Sequence, residues 1–364
     1  MSNHEVVLAE VFEIARSHVS WTSMRAALKD QNIVISTGWD KTYKKILESY
    51  KKPEEILAIA GKVREIYLNS IWYGNKVLRI GKINPEYIPQ IMTSLEGLKI
   101  QDSEFKKTFP YPIDITTLKQ CSILPTLVHI KKETDSLLLI FCAKRHYFER
   151  ETFEIDALTD SVKKAFGSYD SLVALRHVET QGFDTIRISS DGYIEFGADL
   201  IDKIGLDDHR MFIGNLIGEF YGYMKHLLKL DDNELKIISY SGLLQKLYSE
   251  EDGRIVEIGH DTGTTGGIVE EKMRRKTMDV RDENFHKGGM EASTGVSLFS
   301  LGKTWTVAGS ASEPELFLPG SIRTLANNSQ GTYEAILKGC ITQAHYGWII
   351  SKIKQYLDED SSKK

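Results

Sequence analysis

The chain has 364 residues, of which 41% are hydrophobic and 27% are charged, and this composition allows two or three packed units with a sizeable core. The formal net charge of -5 is small for this length, which excludes a global electrostatic field that would draw the protein onto nucleic acid or an anionic membrane. Any binding of that kind must come from a local patch.

The N-terminus and the cysteines predict an intracellular protein. The first residues, MSNHEVVLAEVF, lack the charged start, apolar run and cleavage site of a secretory signal, and no apolar stretch approaches the roughly 18 residues of a membrane span. We therefore expect a cytoplasmic protein without membrane contacts. Cys121, Cys142 and Cys340 lie far apart beside apolar neighbours, so we expect reduced, buried thiols.

Residues 1–75 have the pattern of a helical domain. Apolar residues recur at helical spacing from Val7 to Ala15, and a second short helix is expected between Ser23 and Lys29. An amphipathic segment, GWDKTYKKILESY, stops at Pro53, and the next helix lies between Pro53 and Gly74. The pattern predicts about four helices.

The spacing of apolar residues changes from helical to alternating at Lys76, where KVLRIGKI has the pattern of a strand. Two further apolar runs, TLVHIKK and SLLLIFCAKRHYFER, are joined at 133–135 and predict a hairpin, which is followed by an amphipathic helix ending at Gly167. Strands SLVALRHVE and FDTIRISSDGYIEFGAD come next, and the periodicity is helical from Asp207 to Leu230. This order predicts an α/β sheet domain at 76–230.

The third predicted domain, at 231–357, begins with a strand, a helix and the strand GRIVEIGHD. A glycine-rich loop and a basic stretch follow, then the strands WTVAGSAS and ELFLPGS and a closing helix from about Tyr333 to Leu357. Residues 358–364 are expected to be a disordered tail. The predicted fold class is α+β: an N-terminal helical bundle followed by mixed or antiparallel sheet units with flanking helices.

The segment from Gly263 to Gly289 is the strongest functional candidate. Glycines at both ends would let backbone amides approach a phosphate, and clustered arginines and lysines would bind its oxygens. This combination predicts contact with a nucleic-acid backbone or a phosphorylated ligand. The candidate nucleic-acid-binding residues here are Lys272, Arg274, Arg275, Lys276, Arg281 and Lys287.

Acidic residues nearly neutralise the positive charge of that segment, which leaves two other interpretations open. The charges could pair with one another on a solvated hairpin, or they could form a catalytic loop. A metal-dependent nuclease or nucleotide hydrolase would use Asp279, Asp282, Glu283 and His286, with His260 close enough to join them if the loop folds back.

Several known motifs are absent. Gly302-Lys303-Thr304 has Ser297 where a phosphate-binding loop needs glycine, so we expect a turn before the strand WTVAG. The sequence contains no GxGxxG, CxxC, HExxH or GxSxG pattern. Asp184 and Glu195 lie on predicted strands suited to the acidic pair of a nuclease active site, but the lysine that such a site requires after the second acid is missing. We therefore predict neither a cofactor nor a metal ion.

A second basic surface is predicted in the helical domain. Lys41, Lys44 and Lys45 lie in the segment DKTYKKILESYKK and share part of one helix face. A solvated lysine face is the alternative.

The layout of residues 5–190 resembles the CENP-N family of kinetochore proteins. A small helical bundle precedes the strands LLLIFCAKRHYFER, the helix ALTDSVKKAFG and the strand LVALRH. The resemblance implies an adaptor that contacts chromatin or DNA. It includes no diagnostic motif, so no functional residue is transferred. A component of a prokaryotic mobile-element or phage-defence system would fit the absence of long disordered segments equally well.

The sequence thus favours a non-catalytic adaptor that binds nucleic acid, expected to be DNA, through backbone phosphates. The metal-dependent nuclease or nucleotide hydrolase and a protein–protein scaffold are the alternatives. Other proteins of a complex, or further copies of the chain, could be partners.

Overall fold

The computed structural model describes residues 2–263, 266–293, 295–323 and 331–361. Its N-terminal part is the predicted helical bundle. The four helices are α1 (Asn3–Arg16), α2 (Trp21–Asp30), α3 (Gly38–Ser49) and α4 (Pro53–Tyr73). Ser20 caps α2 by accepting a hydrogen bond from the Ser23 amide, and Pro53 and Gly74 bound α4 as expected.

The rest of the described chain is built on one antiparallel sheet of eleven strands. These are β1 (Lys76–Lys82), β2 (Thr126–Lys132), β3 (Ser136–Glu154), β4 (Ser171–Ser189), β5 (Tyr193–Asp199), β6 (Lys236–Ile237), β7 (Arg254–Asp261), β8 (Ile268–Lys272), β9 (Leu298–Thr304), β10 (Glu315–Leu318) and β11 (Ala335–Lys338). Their order is β2-β3-β4-β5-β1-β11-β10-β9-β7-β8, and β6 pairs with the end of β1. The α+β class with an N-terminal helical unit is confirmed.

Helices cover both faces of this sheet. Beyond the N-terminal bundle, the helices with both bounds in the described residues are α5 (Ile88–Glu96), α6 (Glu104–Thr108), α7 (Ile115–Leu118), α8 (Asp160–Phe166), α9 (Leu206–Tyr223), α10 (Leu243–Ser249), α11 (Asn284–Ala292) and α12 (Gln343–Ser361). Alternation along β3 shows the two faces: Leu137, Leu139 and Phe141 share a core with α5 and α9, whereas Leu138 and Ile140 share one with the N-terminal helices. A third core packs α10 and α12 against β7 and β9–β11.

The sheet crosses the predicted boundary near residue 230. Strand β1 pairs with β5 on one side and with β11 on the other, so strands from 76–230 and 231–357 form one hydrogen-bonded layer. The division into separate sheet domains stays a prediction.

The structure differs from the sequence predictions in several strands. The predicted strand SLVALRHVE and the start of the next one form a single continuous strand, β4, which pairs with β3 along its whole length. Residues 143–154 of β3 and 171–182 of β4 extend beyond the pairing with β2 and β5 and form a two-stranded arm. The predicted turn at Gly302–Thr304 is wrong, because these residues end β9 and the Lys303 side chain is fully buried. Residues 335–338 are a strand, so the closing helix begins at Gln343 and not at Tyr333. It continues to Ser361, beyond the predicted start of the tail; residues 362–364 lie outside the described part.

Candidate functional site

A groove runs along the seam between the helical bundle and the sheet. It has two connected lobes, an inner lobe of about 400 Å³ and an outer lobe of about 570 Å³. Ser20, Ser23, Asn75 and Asp202 line both lobes. Sequence reasoning missed the groove because its walls come from segments far apart in the chain.

Buried charged groups form the floor of the inner lobe. Asp199 lies 3.3 Å from the Lys76 ammonium and 3.6 Å from Nδ1 of His18, and Lys76 also donates a 2.7 Å hydrogen bond to the Phe183 carbonyl. Burial lowers the pKa of His18. Burial acts to raise the pKa of Asp199, but the charges of Lys76 and His18 outweigh it, so that pKa is lowered.

A second buried ion pair supports this floor. Arg145 donates to both carboxylate oxygens of Asp184 at 2.5 Å and to the Asp199 carbonyl at 3.1 Å, and its guanidinium lies over the Phe212 ring. The other acid considered for a nuclease, Glu195, accepts a 2.8 Å hydrogen bond from Tyr346. These contacts give both carboxylates a role in packing the fold.

The outer lobe is lined by cations from both walls. Arg25 and Lys29 lie on α2, while Lys276 and Lys338 come from the sheet side. Among the residues that the structure describes, Arg25, Lys29 and Lys338 make no ion pair.

Carboxylates also line the outer lobe, but two of its three are neutralised. Glu315 pairs with Lys276, and Glu313 lies 2.7 Å from Arg254. Asp202 is the third acidic residue of the lining. The unpaired charge in the lobe is therefore mostly positive.

The predicted basic segment adjoins this lobe through Lys276. After β8 the chain bends, forms a 3-10 turn at Val280–Asp282 and enters α11. Arg274 and Arg275, immediately before Lys276, are exposed and have no ion-pair partner within the described ranges. They are the residues of the segment best placed to bind an external anion.

The other predicted basic residues differ in their availability. Lys272 lies 2.7 Å from Glu257, and Lys287 lies 3.8 Å from Asp282. Residues 264 and 265 of the glycine-rich loop lie outside the described residues.

Arg281 has an internal role that the sequence did not indicate. Its guanidinium lies 2.7 Å from Asp279 and donates to the backbone carbonyls of Tyr248, Glu250 and Gly253 at 3.1, 2.7 and 2.9 Å. The hydrogen bond with Asp279 raises the pKa of Arg281. Its donors are used inside the protein, which makes it a poor phosphate contact.

The lysines of α3 are exposed, as predicted, but they do not line the groove. Lys45 donates to the Ile35 carbonyl at 3.0 Å, whereas Lys41 and Lys44 project into solvent.

The four residues of the catalytic alternative do not converge. Asp279 binds Arg281 and the Ile255 amide, Asp282 and Glu283 are exposed, and His286 is buried. Within the described residues, no group with metal-ligand spacing contains Asp279, Asp282 or Glu283.

His286 instead meets His260 and Glu271, which brings together β7, β8 and α11. Nδ1 of His286 lies 2.6 Å from a Glu271 oxygen, and Nε2 of His260 lies 3.6 Å from the same oxygen. Glu271 was missed because no short motif contains it. The hairpin register would have revealed it, since Glu271 pairs with Ile258 and so shares a face of the hairpin with His260.

No protein-family model matches the chain, and no curated protein matches it either. The resemblance to the CENP-N family and the assignment to a phage-defence system therefore stay predictions. Within the described ranges, no helix is both long and apolar enough to cross a membrane.

Proposed function

We propose that this protein binds nucleic acid through backbone phosphates, with the outer lobe of the groove and the adjoining Arg274 and Arg275 as the contact surface. The observation that carries the proposal is the set of unpaired cations on both walls of the lobe: Arg25 and Lys29 on one side, and Lys338 with the arginine pair on the other. A phosphate backbone is a regular array of anions, and cations without internal partners bind it at the lowest desolvation cost. Duplex DNA is the ligand that the resemblance to the CENP-N family implies.

The proposal narrows the basic surface expected from sequence. Arg281 is excluded from the contact surface because its hydrogen-bond donors are occupied inside the protein. Lys272 and Lys276 would have to break their ion pairs with Glu257 and Glu315 before they could bind a phosphate. The surface instead gains Arg25, Lys29 and Lys338.

The test is a fluorescence-anisotropy titration of a labelled DNA duplex across a salt series. Each phosphate contact adds about 0.9 to the slope of log Kobs against log salt, so Arg274→Glu/Arg275→Glu should lower the slope by about 2. It should also weaken binding at low salt by at least about tenfold, which corresponds to about 1.4 kcal/mol. We expect Arg25→Glu/Lys29→Glu to act in the same direction.

A matched control is Lys163→Glu/Lys164→Glu. These adjacent lysines lie on α8, in the connection between β3 and β4. In the sheet order β4 is three places from β11, the strand that carries the groove residue Lys338. The control variant should bind DNA nearly as the unmodified protein does. Equal weakening by the control, or unchanged affinity of both groove variants, would contradict the proposal.

A second candidate function, protein binding, is favoured by the β3–β4 arm. The register places Phe148, Leu175 and Val173 on one face of the arm, and Phe148 and Leu175 are 60% and 66% exposed. Exposed apolar strips of this kind mark interaction sites. If this is the working surface, Phe148→Asp/Leu175→Asp should abolish a concentration-dependent mass increase in light scattering without changing DNA affinity. A mass that is independent of concentration in the unmodified protein would remove self-association from consideration.

A further inference from the structure

The cluster of His260, Glu271 and His286 has the chemistry of a transition-metal site. Two imidazoles and one carboxylate present ligand atoms that all lie within 4.8 Å of one another. Nitrogen and oxygen donors in this combination bind Zn²⁺ and related divalent ions. The three residues come from three elements, β7, β8 and α11, so the site is assembled only by the folded chain.

His260 provides the observation that separates this cluster from an ordinary surface group. The residue is 7% exposed, and its Nδ1 lies 2.6 Å from the Asp261 carbonyl. A carbonyl can only accept, so Nδ1 carries a proton, and Nε2 is the ring nitrogen that can bind a metal ion. That Nε2 is buried without a hydrogen-bond partner in the described structure. It faces the Glu271 carboxylate at 3.6 Å, which is too long for a hydrogen bond.

His286 is held in a manner common to metal-binding histidines. Its Nδ1 lies on the side of Glu271, and its Nε2 lies 2.8 Å from the Tyr248 hydroxyl. A ligating imidazole usually forms a hydrogen bond through its second nitrogen, which fixes the ring orientation. With Nδ1 bound to a metal, the ring proton would reside on Nε2 and be donated to the Tyr248 oxygen.

Two of the three ligand separations require only a small rearrangement. Bond lengths of about 2.0–2.2 Å at tetrahedral angles place two ligand atoms about 3.3 Å apart. The His260–Glu271 separation of 3.6 Å is already close to that value. The His286–Glu271 separation of 2.6 Å is a hydrogen bond that must open by about 0.7 Å to admit an ion.

We propose that His260, Glu271 and His286 bind one divalent transition-metal ion, Zn²⁺, which ties α11 to the β7–β8 hairpin. Both ends of the segment from β8 to α11 are then fixed, and this segment carries Arg274 and Arg275. The site does not depend on the proposed binding of nucleic acid, because its ligands are internal and none of them lines the groove.

The test uses the untagged full-length protein, stripped with a chelator and titrated with Zn²⁺ against a chromophoric competitor. We expect one ion per chain. His260→Ala and Glu271→Gln should each weaken Zn²⁺ binding by at least about tenfold, the scale at which even supporting residues of metal sites act. Glu271→Gln is nearly isosteric, and circular dichroism of each variant separates loss of the ligand from loss of the fold.

The chain offers a matched control in the exposed pair His146 and His177, whose ring centroids lie 5.0 Å apart on the arm. His146→Ala/His177→Ala should retain Zn²⁺. A second readout is trypsin cleavage after Arg274 and Arg275, which Zn²⁺ should slow in the unmodified protein and leave unchanged in Glu271→Gln. The proposal is overturned if the unmodified protein binds no stoichiometric Zn²⁺, or if the control loses the ion while His260→Ala keeps it.

Discussion

Replacing Arg281 by alanine removes the guanidinium that joins the 3-10 turn at Val280–Asp282 to the backbone before β7. Three carbonyls lose a charged donor, and the Asp279 carboxylate loses its partner. Burial acts to raise the pKa of Asp279, but hydrogen bonds with Arg281 outweigh it and lower that pKa, so alanine leaves a half-buried charge uncompensated.

The expected loss of stability follows from these contacts. Removing one partner of a buried ion pair lowers the free energy of unfolding by about 3–5 kcal/mol. Because the Arg281 side chain is 23% exposed, we take the lower end of this range, about 3 kcal/mol. Unfolding entropy of about 2.1 cal/mol/K per residue gives about 0.76 kcal/mol/K for 364 residues. The melting temperature should therefore fall by about 4 °C.

The assay pairs thermal unfolding with DNA anisotropy on two variants. Arg281→Ala should lower Tm and leave the affinity of the folded protein for DNA nearly unchanged, whereas Arg274→Ala should do the reverse, since an exposed side chain contributes less than about 0.5 kcal/mol to stability. An Arg281→Ala protein that melts like the unmodified protein but binds DNA several-fold more weakly would refute the assignment of Arg281 to the interior.

Three further predictions concern the buried groups. Burial lowers the pKa of His18 from its ordinary value of 6.5, so below that pH the unfolded chain binds a proton that the folded chain does not. The free energy of unfolding should therefore decrease as the pH falls below about 6.5, by up to about 1.4 kcal/mol per pH unit. Urea unfolding at several pH values should show a weaker dependence of this free energy on pH for His18→Gln than for the unmodified protein. In Gly182→Ala the new Cβ would lie 2.7 Å from the Arg145 guanidinium, so Tm should fall by several degrees. The control is Gly61→Ala on α4, where a new Cβ meets nothing within 4 Å and Tm should stay unchanged or rise. Equal changes of Tm in the two variants would count against the clash at Gly182. Burial raises the pKa of Cys340 to about 12, so a thiol reagent at pH 8 should label it only after denaturation, and rapid labelling of the native protein would show that it is accessible.

The parts of the fold that were predictable depend on local signals. Helices α1 to α4 follow from apolar spacing and from Pro53 and Gly74, all read within one segment. The single sheet was not predictable, because β1 pairs with β11 some 260 positions later and short apolar strands do not specify distant partners. The error at Lys303 has the same origin: a lysine normally indicates the surface, but here its ammonium donates to the carbonyls of Leu247 and Glu250 at 2.8 and 3.0 Å.

The candidate site shows a similar division. Charge clustering identified Arg274 and Arg275, because exposed arginines are adjacent in sequence. It could not separate them from Arg281, whose partners are backbone carbonyls that no side-chain pattern records. Likewise, His286 was noticed for its chemistry but grouped with Asp282, its sequence neighbour, and not with the distant Glu271 that it contacts.

The central position of β1 has a consequence for synthesis on the ribosome. One side of this strand can pair with β5 early, but its partner on the other side, β11, ends at Lys338. At about 5–20 residues per second, the intervening 256 residues, from Lys82 to Lys338, take about 13–50 s to translate. During that interval the outer edge of the nascent sheet is open to pairing with another chain, so yield in the cell should depend on chaperones that cover it.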